Sequence, residues 1–123
     1  MTAHGRIEHV NLTVTDVDRS ADFLKTLLGW QERWRGPALR GETIHVGDDA
    51  GYLSLYTDRG DHAGQQKGRP LNHVGLLVDD IDRAEEVVKQ AGLEPYGHDD
   101  YDPGRRFYFF DWDGIEFEIV SYA

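Results

Sequence analysis

The chain carries one segment twice. Ile7-Glu8-His9-Val10-Asn11-Leu12-Thr13-Val14 returns 64 residues later as Leu71-Asn72-His73-Val74-Gly75-Leu76-Leu77-Val78, with a histidine third in each copy. At the same offset Asp16 matches Asp80, Val17 matches Ile81, Asp18 matches Asp82, Arg19 matches Arg83 and Lys25 matches Lys89. A repeat longer than the usual solenoid period, present only twice, describes two fused modules rather than a stacked array. A length of 123 residues accommodates one core but not two independent ones. The expectation is therefore a single domain, 1–123, made of modules at about 5–57 and 71–123, each leaving an apolar face for the other to cover.

Hydrophobic periodicity orders each module. Val10, Leu12 and Val14 alternate with His9, Asn11 and Thr13, the period-two pattern of a half-buried strand over Ile7 to Val14. Asp16 or Asp18 can then cap a helix carrying Ala21, Phe23, Leu24, Leu27 and Leu28, which Gly29 stops. Trp30 to Trp34 reads as a strand, and Thr43 to Val46 with Tyr52 to Tyr56 as a hairpin. The second module repeats the order: strand Leu71 to Val78, helix Ile81 to Ala91 closed by Gly92, a short strand at Leu93 to Tyr96, then Arg106 to Asp111 and Ile115 to Val120 around the Asp113-Gly114 turn. Asp58 to Pro70, Gly-rich and charged, reads as the linker, and His98 to Arg106 as an acidic loop. The fold class is α+β: two β-α-β-β-β modules whose curled mixed sheets surround a central cavity, with the helices outside.

Acidic residues outnumber basic ones 23 to 13, for a net charge of −10. That balance repels phosphate backbones and anionic lipid surfaces, which argues against nucleic-acid and membrane partners. There is no cysteine, so disulfides, zinc-thiolate clusters and thiol nucleophiles are excluded. No secretory signal precedes the first repeat and no apolar run is long enough for a bilayer, so the default expectation is a cytoplasmic protein.

The face of each first strand opposite the helix carries the chemistry. If Val10, Leu12 and Val14, and equally Val74, Leu76 and Val78, pack beneath helices, His9 and His73 turn the other way. In the last strand Phe117 and Ile119 take the helix side, which sends Glu118 toward the histidines. A lone strand histidine is ordinarily a hydrogen-bonded structural residue. Two symmetry-matched histidines on the less apolar face have no packing reason to recur. Two imidazoles and one carboxylate, with positions left open, suit Fe(II), Mn(II), Ni(II) or Zn(II) with substrate also coordinating.

With Glu8-His9-Val10, Leu27-Leu28-Gly29-Trp30, Asn72-His73-Val74-Gly75, and Phe109-Phe110-Asp111-Trp112-Asp113-Gly114 followed by Phe117-Glu118, nearly the whole chain resembles the vicinal oxygen chelate superfamily. That superfamily includes glyoxalase I, extradiol dioxygenases, and fosfomycin- and bleomycin-resistance proteins. Trp112 stands where its members usually have proline. The resemblance implies metal ligands at His9, His73 and Glu118, a small-molecule substrate bound through adjacent oxygens, and a homodimer, with the site formed within one chain or between exchanged modules. Glyoxalase I-type members have a fourth ligand, Glu or Gln, where this chain has Ser54, the repeat mate of Glu118. A serine hydroxyl stays protonated and neutral, a poor ligand, so the resemblance favours a three-ligand, extradiol-dioxygenase-like enzyme.

Candidate helpers are Tyr52, Tyr56, Tyr108 and His98 in catalysis, and Asn11, Ser54 and Arg106 in substrate binding. A tyrosine on a core-lining strand is ordinarily packing, and a histidine in a polar loop, such as His62 or His98, is ordinarily solvated. His98 earns its place because the His98–Arg106 loop can overlie a pocket mouth and supply His98 or Tyr101. Fosfomycin-type chemistry needs a cationic, hydroxyl-rich pocket; Arg105 and Arg106 can contribute, although they also suit a strand edge, and the serine-bearing segment of those proteins does not show in Asp99 to Phe107. The alternatives are a glyoxalase-like lyase or isomerase with another base, and a metal-free drug- or metabolite-binding protein whose Trp30, Trp34 and Trp112 receive a planar ligand.

Overall fold

The computed structural model describes residues 1–101 and 104–123, with the backbone alone described at Tyr101. The chain divides into two compact units, Met1–Asp61 and His62–Ala123, and the boundary falls inside the Asp58–Pro70 stretch.

In the first unit the order is β1 (His9–Thr13), α1 (Val17–Leu28), β2 (Gln31–Ala38), β3 (Gly41–Gly47) and β4 (Tyr52–Thr57). They form a mixed sheet, β1-β4-β3-β2, in which β1 and β4 run parallel and the other pairs antiparallel. The core is the layer between sheet and helix: Leu12, Val14, Ile44, Val46, Leu53 and Leu55 are buried beneath Val17, Ala21, Leu24 and Leu27 of α1. Asp16 caps α1, its Oδ1 accepting from Arg19 N at 3.0 Å, and Gly29 closes it in the left-handed conformation at φ 69°, open to glycine at little cost. Asp16→Ala should therefore destabilise the protein by about 1 kcal/mol, read as a lower urea midpoint at unchanged slope.

The second unit repeats the arrangement as β5 (Val74–Leu77), α2 (Ile81–Gln90), β6 (Tyr96–Tyr101), β7 (Gly104–Phe110) and β8 (Glu116–Ser121), in the order β5-β8-β7-β6 with β5 and β8 parallel. Asp80 caps α2 as Asp16 caps α1. Leu76, Phe107, Phe109, Phe117 and Ile119 form the layer under Ile81, Ala84, Val87 and Val88. The architecture is thus α+β, with two four-stranded mixed sheets and two helices.

Two expectations need correcting. The short strand placed at Leu93 to Tyr96 lies later, at Tyr96–Tyr101, and most of the stretch read as an acidic loop is strand: His98 to Tyr101 belong to β6, and Gly104 to Arg106 open β7. Asp102, Pro103 and the side chain of Tyr101 lie outside the described residues. The run Gly97-His98-Asp99-Asp100 carries no apolar alternation because β6 is an edge strand and follows β7 through a bulge: Tyr96 pairs with Tyr108 and Asp99 with Arg106, two residues facing one in between. Gly97 sits in that bulge at φ 68°, and a Cβ there would come 2.9 Å from the Tyr108 ring. Among the described residues no helix is long and apolar enough to cross a membrane.

Candidate functional site

In the first unit the strand register brings most of the sequence candidates onto the sheet face opposite α1. His9 pairs with Tyr52, Asn11 with Ser54 and Thr13 with Tyr56. His45 of β3 lies opposite Ser54 and Trp34 of β2 lies opposite His45. Rings from all four strands form one row: His9 stacks on Tyr52 at 4.9 Å, Tyr52 on His45 at 4.5 Å, and His45 meets Trp34 at 5.1 Å. The β2 bulge between Glu32 and Trp34 turns the Arg33 guanidinium over the Tyr52 ring, 4.6 Å from its centre. Asn11 Nδ2 donates to the buried Ser54 hydroxyl at 3.3 Å.

Glu8 ties part of this row together. Its Oε1 accepts from His9 Nδ1 at 2.9 Å and from the Tyr52 hydroxyl at 3.3 Å. Those two hydrogen bonds, that from His9 foremost, hold the Glu8 carboxyl below its usual range. Because a carboxylate only accepts, Nδ1 carries the proton, and in neutral His9 the lone pair is on Nε2. Burial pushes the Tyr52 phenol up, and the Glu8 charge adds to it.

The second unit builds the matching face. His73 precedes β5, and its Nδ1 donates to Asn72 Oδ1 at 2.8 Å, the same preceding-residue contact that Glu8 makes to His9. Its Nε2 faces Glu118 Oε1 at 3.1 Å. Arg106 Nη1 donates to the other carboxylate oxygen, Oε2, at 3.4 Å, so the two oxygens of Glu118 are divided between a cation and an imidazole. Tyr108, opposite Glu118 in the β7–β8 ladder, meets His73 edge-on at 6.0 Å. The turn before β8 is held by Asp111 Oδ1, which accepts from Asp113 N and Ile115 N, both at 2.9 Å. This aims β8 so that Phe117 and Ile119 enter the core while Glu118 turns away from it. By register Ser54 and Glu118 are equivalent, as are His45 and Tyr108, and Trp34 and Tyr96.

His98 is placed apart from these groups. It stacks on the buried Phe107, and its Nε2 is 2.8 Å from Glu85 on α2, on the helix-covered face of the sheet. It lines a cavity of about 110 Å³ there with Ile81, Glu85 and Phe107. Arg105 turns to the same side and pairs with Asp82 of α2 at 3.0 Å. Within either unit, no three His, Asp or Glu side chains gather as a metal group among the described residues. His45 and Arg33 were not among the sequence candidates. The alternation of Thr43 and His45 with Ile44 and Val46 carried the signal for His45; the bulge that turns Arg33 inward had none.

A further pair of charges is packed in the second unit. Glu116, 2 % exposed, is ion-paired to Lys67 and accepts from the Tyr96 hydroxyl. It occupies the register position equivalent to Tyr52, so the halves diverge there as well as at Ser54 and Glu118.

Comparison with solved structures finds this fold repeatedly. A glyoxylase/bleomycin resistance protein/dioxygenase domain from Frankia sp. EAN1pec is 26% identical, with a TM-score of 0.83 over 98% of this chain and 100% of that one. The fosfomycin resistance protein FosX from Listeria monocytogenes is 20% identical at a TM-score of 0.76, covering 97% and 94% of the two chains. A variant of it complexed with Mn(II) and 1S,2S-dihydroxypropylphosphonic acid is 20% identical at 0.77, over 99% and 95%. No curated protein matches the sequence. The sequence model of the Glyoxalase/Bleomycin resistance protein/Dioxygenase superfamily matches residues 6–119, and the chain belongs to that superfamily.

Proposed function

We propose that the chain is a divalent-metal-dependent enzyme acting on a small molecule through two adjacent oxygens, with His9, His73 and Glu118 as the protein ligands. The observation that carries this reading is the repeated anchoring of the two histidines. In each, the side chain of the preceding residue, Glu8 or Asn72, holds Nδ1 and leaves Nε2 as the donor, the arrangement of metal-bound imidazoles whose other nitrogen is fixed by an outer partner. The donor set also fits. With Nδ1 given to Asn72, the His73 Nε2 stands 3.1 Å from a carboxylate oxygen, a contact that calls for a proton or a cation between them.

A bound divalent ion would supply Lewis-acid stabilisation of the negative charge that develops on the substrate oxygens. The chain's own residues would do the rest. Arg106 holds one oxygen of Glu118 and thereby orients the other; Asn11 and Ser54 offer neutral hydrogen bonds to substrate; Tyr52, Tyr56 and Tyr108 offer ring surface and hydroxyls. Ser54 in place of a fourth ligand supports an extradiol-dioxygenase-like reaction over a glyoxalase I-like one, carried out by a cytoplasmic homodimer. The commitment of Arg106 to Glu118 speaks against a phosphonate pocket built on that residue.

Protein purified without chelators should retain stoichiometric metal on elemental analysis. After stripping, Mn(II) or Fe(II) should raise its melting temperature, and the loaded protein should consume oxygen with catechol-type diols but leave fosfomycin intact. Absence of bound metal and of any metal-dependent stabilisation would refute the reading. Retained chelator-insensitive binding of planar ligands would then favour a binding protein that uses the His9–Tyr52–His45–Trp34 row.

A further inference from the structure

We propose that His45 is the proton-transferring residue of the reaction, taking the proton of a substrate hydroxyl on the face of the first sheet opposite α1. The inference rests on the metal-dependent reading above and extends it to a residue outside the ligand set.

Three observations converge on His45. First, its position is central: β3 is an inner strand, and Tyr52 of β4 and Trp34 of β2 hold the imidazole between them at 4.5 and 5.1 Å. The ring plane is set by these contacts, while the residue stays half-buried rather than sealed. Second, its nitrogens are uncommitted. His4, His9, His73 and His98 each hold a ring nitrogen against an oxygen of Thr2, Glu8, Asn72 or Glu85, whereas His45 has no such hydrogen bond among the described residues. An imidazole positioned by its faces but left open at its nitrogens is arranged to exchange a proton with something that is not the protein. Third, its surroundings favour the accepting form over the protonated one. Burial is the main cause that lowers its pKa; Arg33 on β2 adds to this, as does His9 on β1 when that imidazole is protonated, and Glu8 opposes it. Among the described residues, Tyr52 is the titratable group whose ring contacts that of His45.

The step balances simply. The substrate O–H bond breaks, the proton passes to the open imidazole nitrogen, and the oxygen keeps the electron pair. Imidazole suits this because its pKa lies near neutrality, so it accepts a proton on binding and returns it later. By register the equivalent position in the second unit is Tyr108, which carries no imidazole, so this role exists in one half only.

The probe is 4-nitrocatechol, whose ionisation state is visible in its absorption spectrum, titrated into Mn(II)-loaded wild-type, His45→Gln and His45→Phe proteins across pH. Wild type should bind the probe in its more ionised form. Both variants should retain Mn(II), but the ionisation midpoint of the bound probe should rise by about one pH unit, a tenfold change in proton affinity. His45→Phe keeps a ring between Tyr52 and Trp34, so a fold defect confined to His45→Gln leaves the measurement intact. An unchanged midpoint in the variants, or Mn(II) binding with no probe binding in wild type, overturns the assignment of His45 alone. Failure of wild type to bind Mn(II) removes the metal reading, and this inference with it.

Discussion

Mn(II) affinity should fall by more than about a hundred-fold when His73 is replaced by alanine, because loss of an outer partner of a metal-bound histidine by itself costs about ten- to a hundred-fold. The substitution removes the imidazole that faces Glu118 Oε1 at 3.1 Å and leaves that carboxylate with Arg106 as its charged partner. Thermal stability gives a convenient readout. A ligand at a thousand times its dissociation constant stabilises by about 4 kcal/mol, and a hundred-fold weaker site retains only about 1.4 kcal/mol at the same concentration. The metal-induced rise in melting temperature should therefore shrink to about a third. Asn72→Ala keeps the imidazole but frees its Nδ1, so its affinity should lie between wild type and His73→Ala. Equal Mn(II) binding by wild type and His73→Ala, measured by titration of free Mn(II) in an EPR spectrum, would exclude His73 as a ligand.

Removing a core ring should cost more than any surface change. Phe109 is fully buried and stacks on Phe117 at 5.4 Å beneath α2. Phe109→Ala loses the transfer energy of a phenyl ring and leaves a cavity that a sheet-and-helix sandwich closes only in part, so the expected destabilisation is about 4 kcal/mol. That corresponds to a melting temperature lower by roughly 15 °C for a domain of this size. The neighbouring Phe110 provides the control. It points away from the core, stacks on Tyr96 and is 40 % exposed, so Phe110→Ala should cost under about 1 kcal/mol. Comparable losses from both would mean that the face assignment of β7 is wrong.

Much of this architecture was legible in sequence because its signals are local. The apolar alternation around His9 and Ile44, the Asp16 and Asp80 caps and the Gly29 stop each act within a turn or a strand. Among the described residues they identified seven of the eight strands near their observed places, and both helices. The eighth, β6, was placed too early, at Leu93 to Tyr96, because an edge strand broken by a bulge has no alternation to read, and its charged residues find partners across space: Glu85 for His98, and Arg106 as the cross-strand neighbour of Asp99. For the same reason His98 read as a loop residue near a pocket, although folding draws it to the helix-covered side.

The sequence by itself determined the duplication, the α+β class and the side of the strand on which His9, Ser54 and Glu118 each fall, since a period of two leaves no other choice once one face is apolar. Only the tertiary structure decided what those residues touch. Strand register, set by long-range pairing, placed Tyr52 against His9 and His45, and bulges turned Arg33 onto Tyr52 and His98 onto Phe107. Hydrogen bonding to Glu8 and Asn72 settled which nitrogen each duplicated histidine presents. Local patterning records which way a side chain points; apart from the neighbouring Glu8 and Asn72, its partners come from segments distant in the chain, and those contacts exist only after the sheet has closed its ladder.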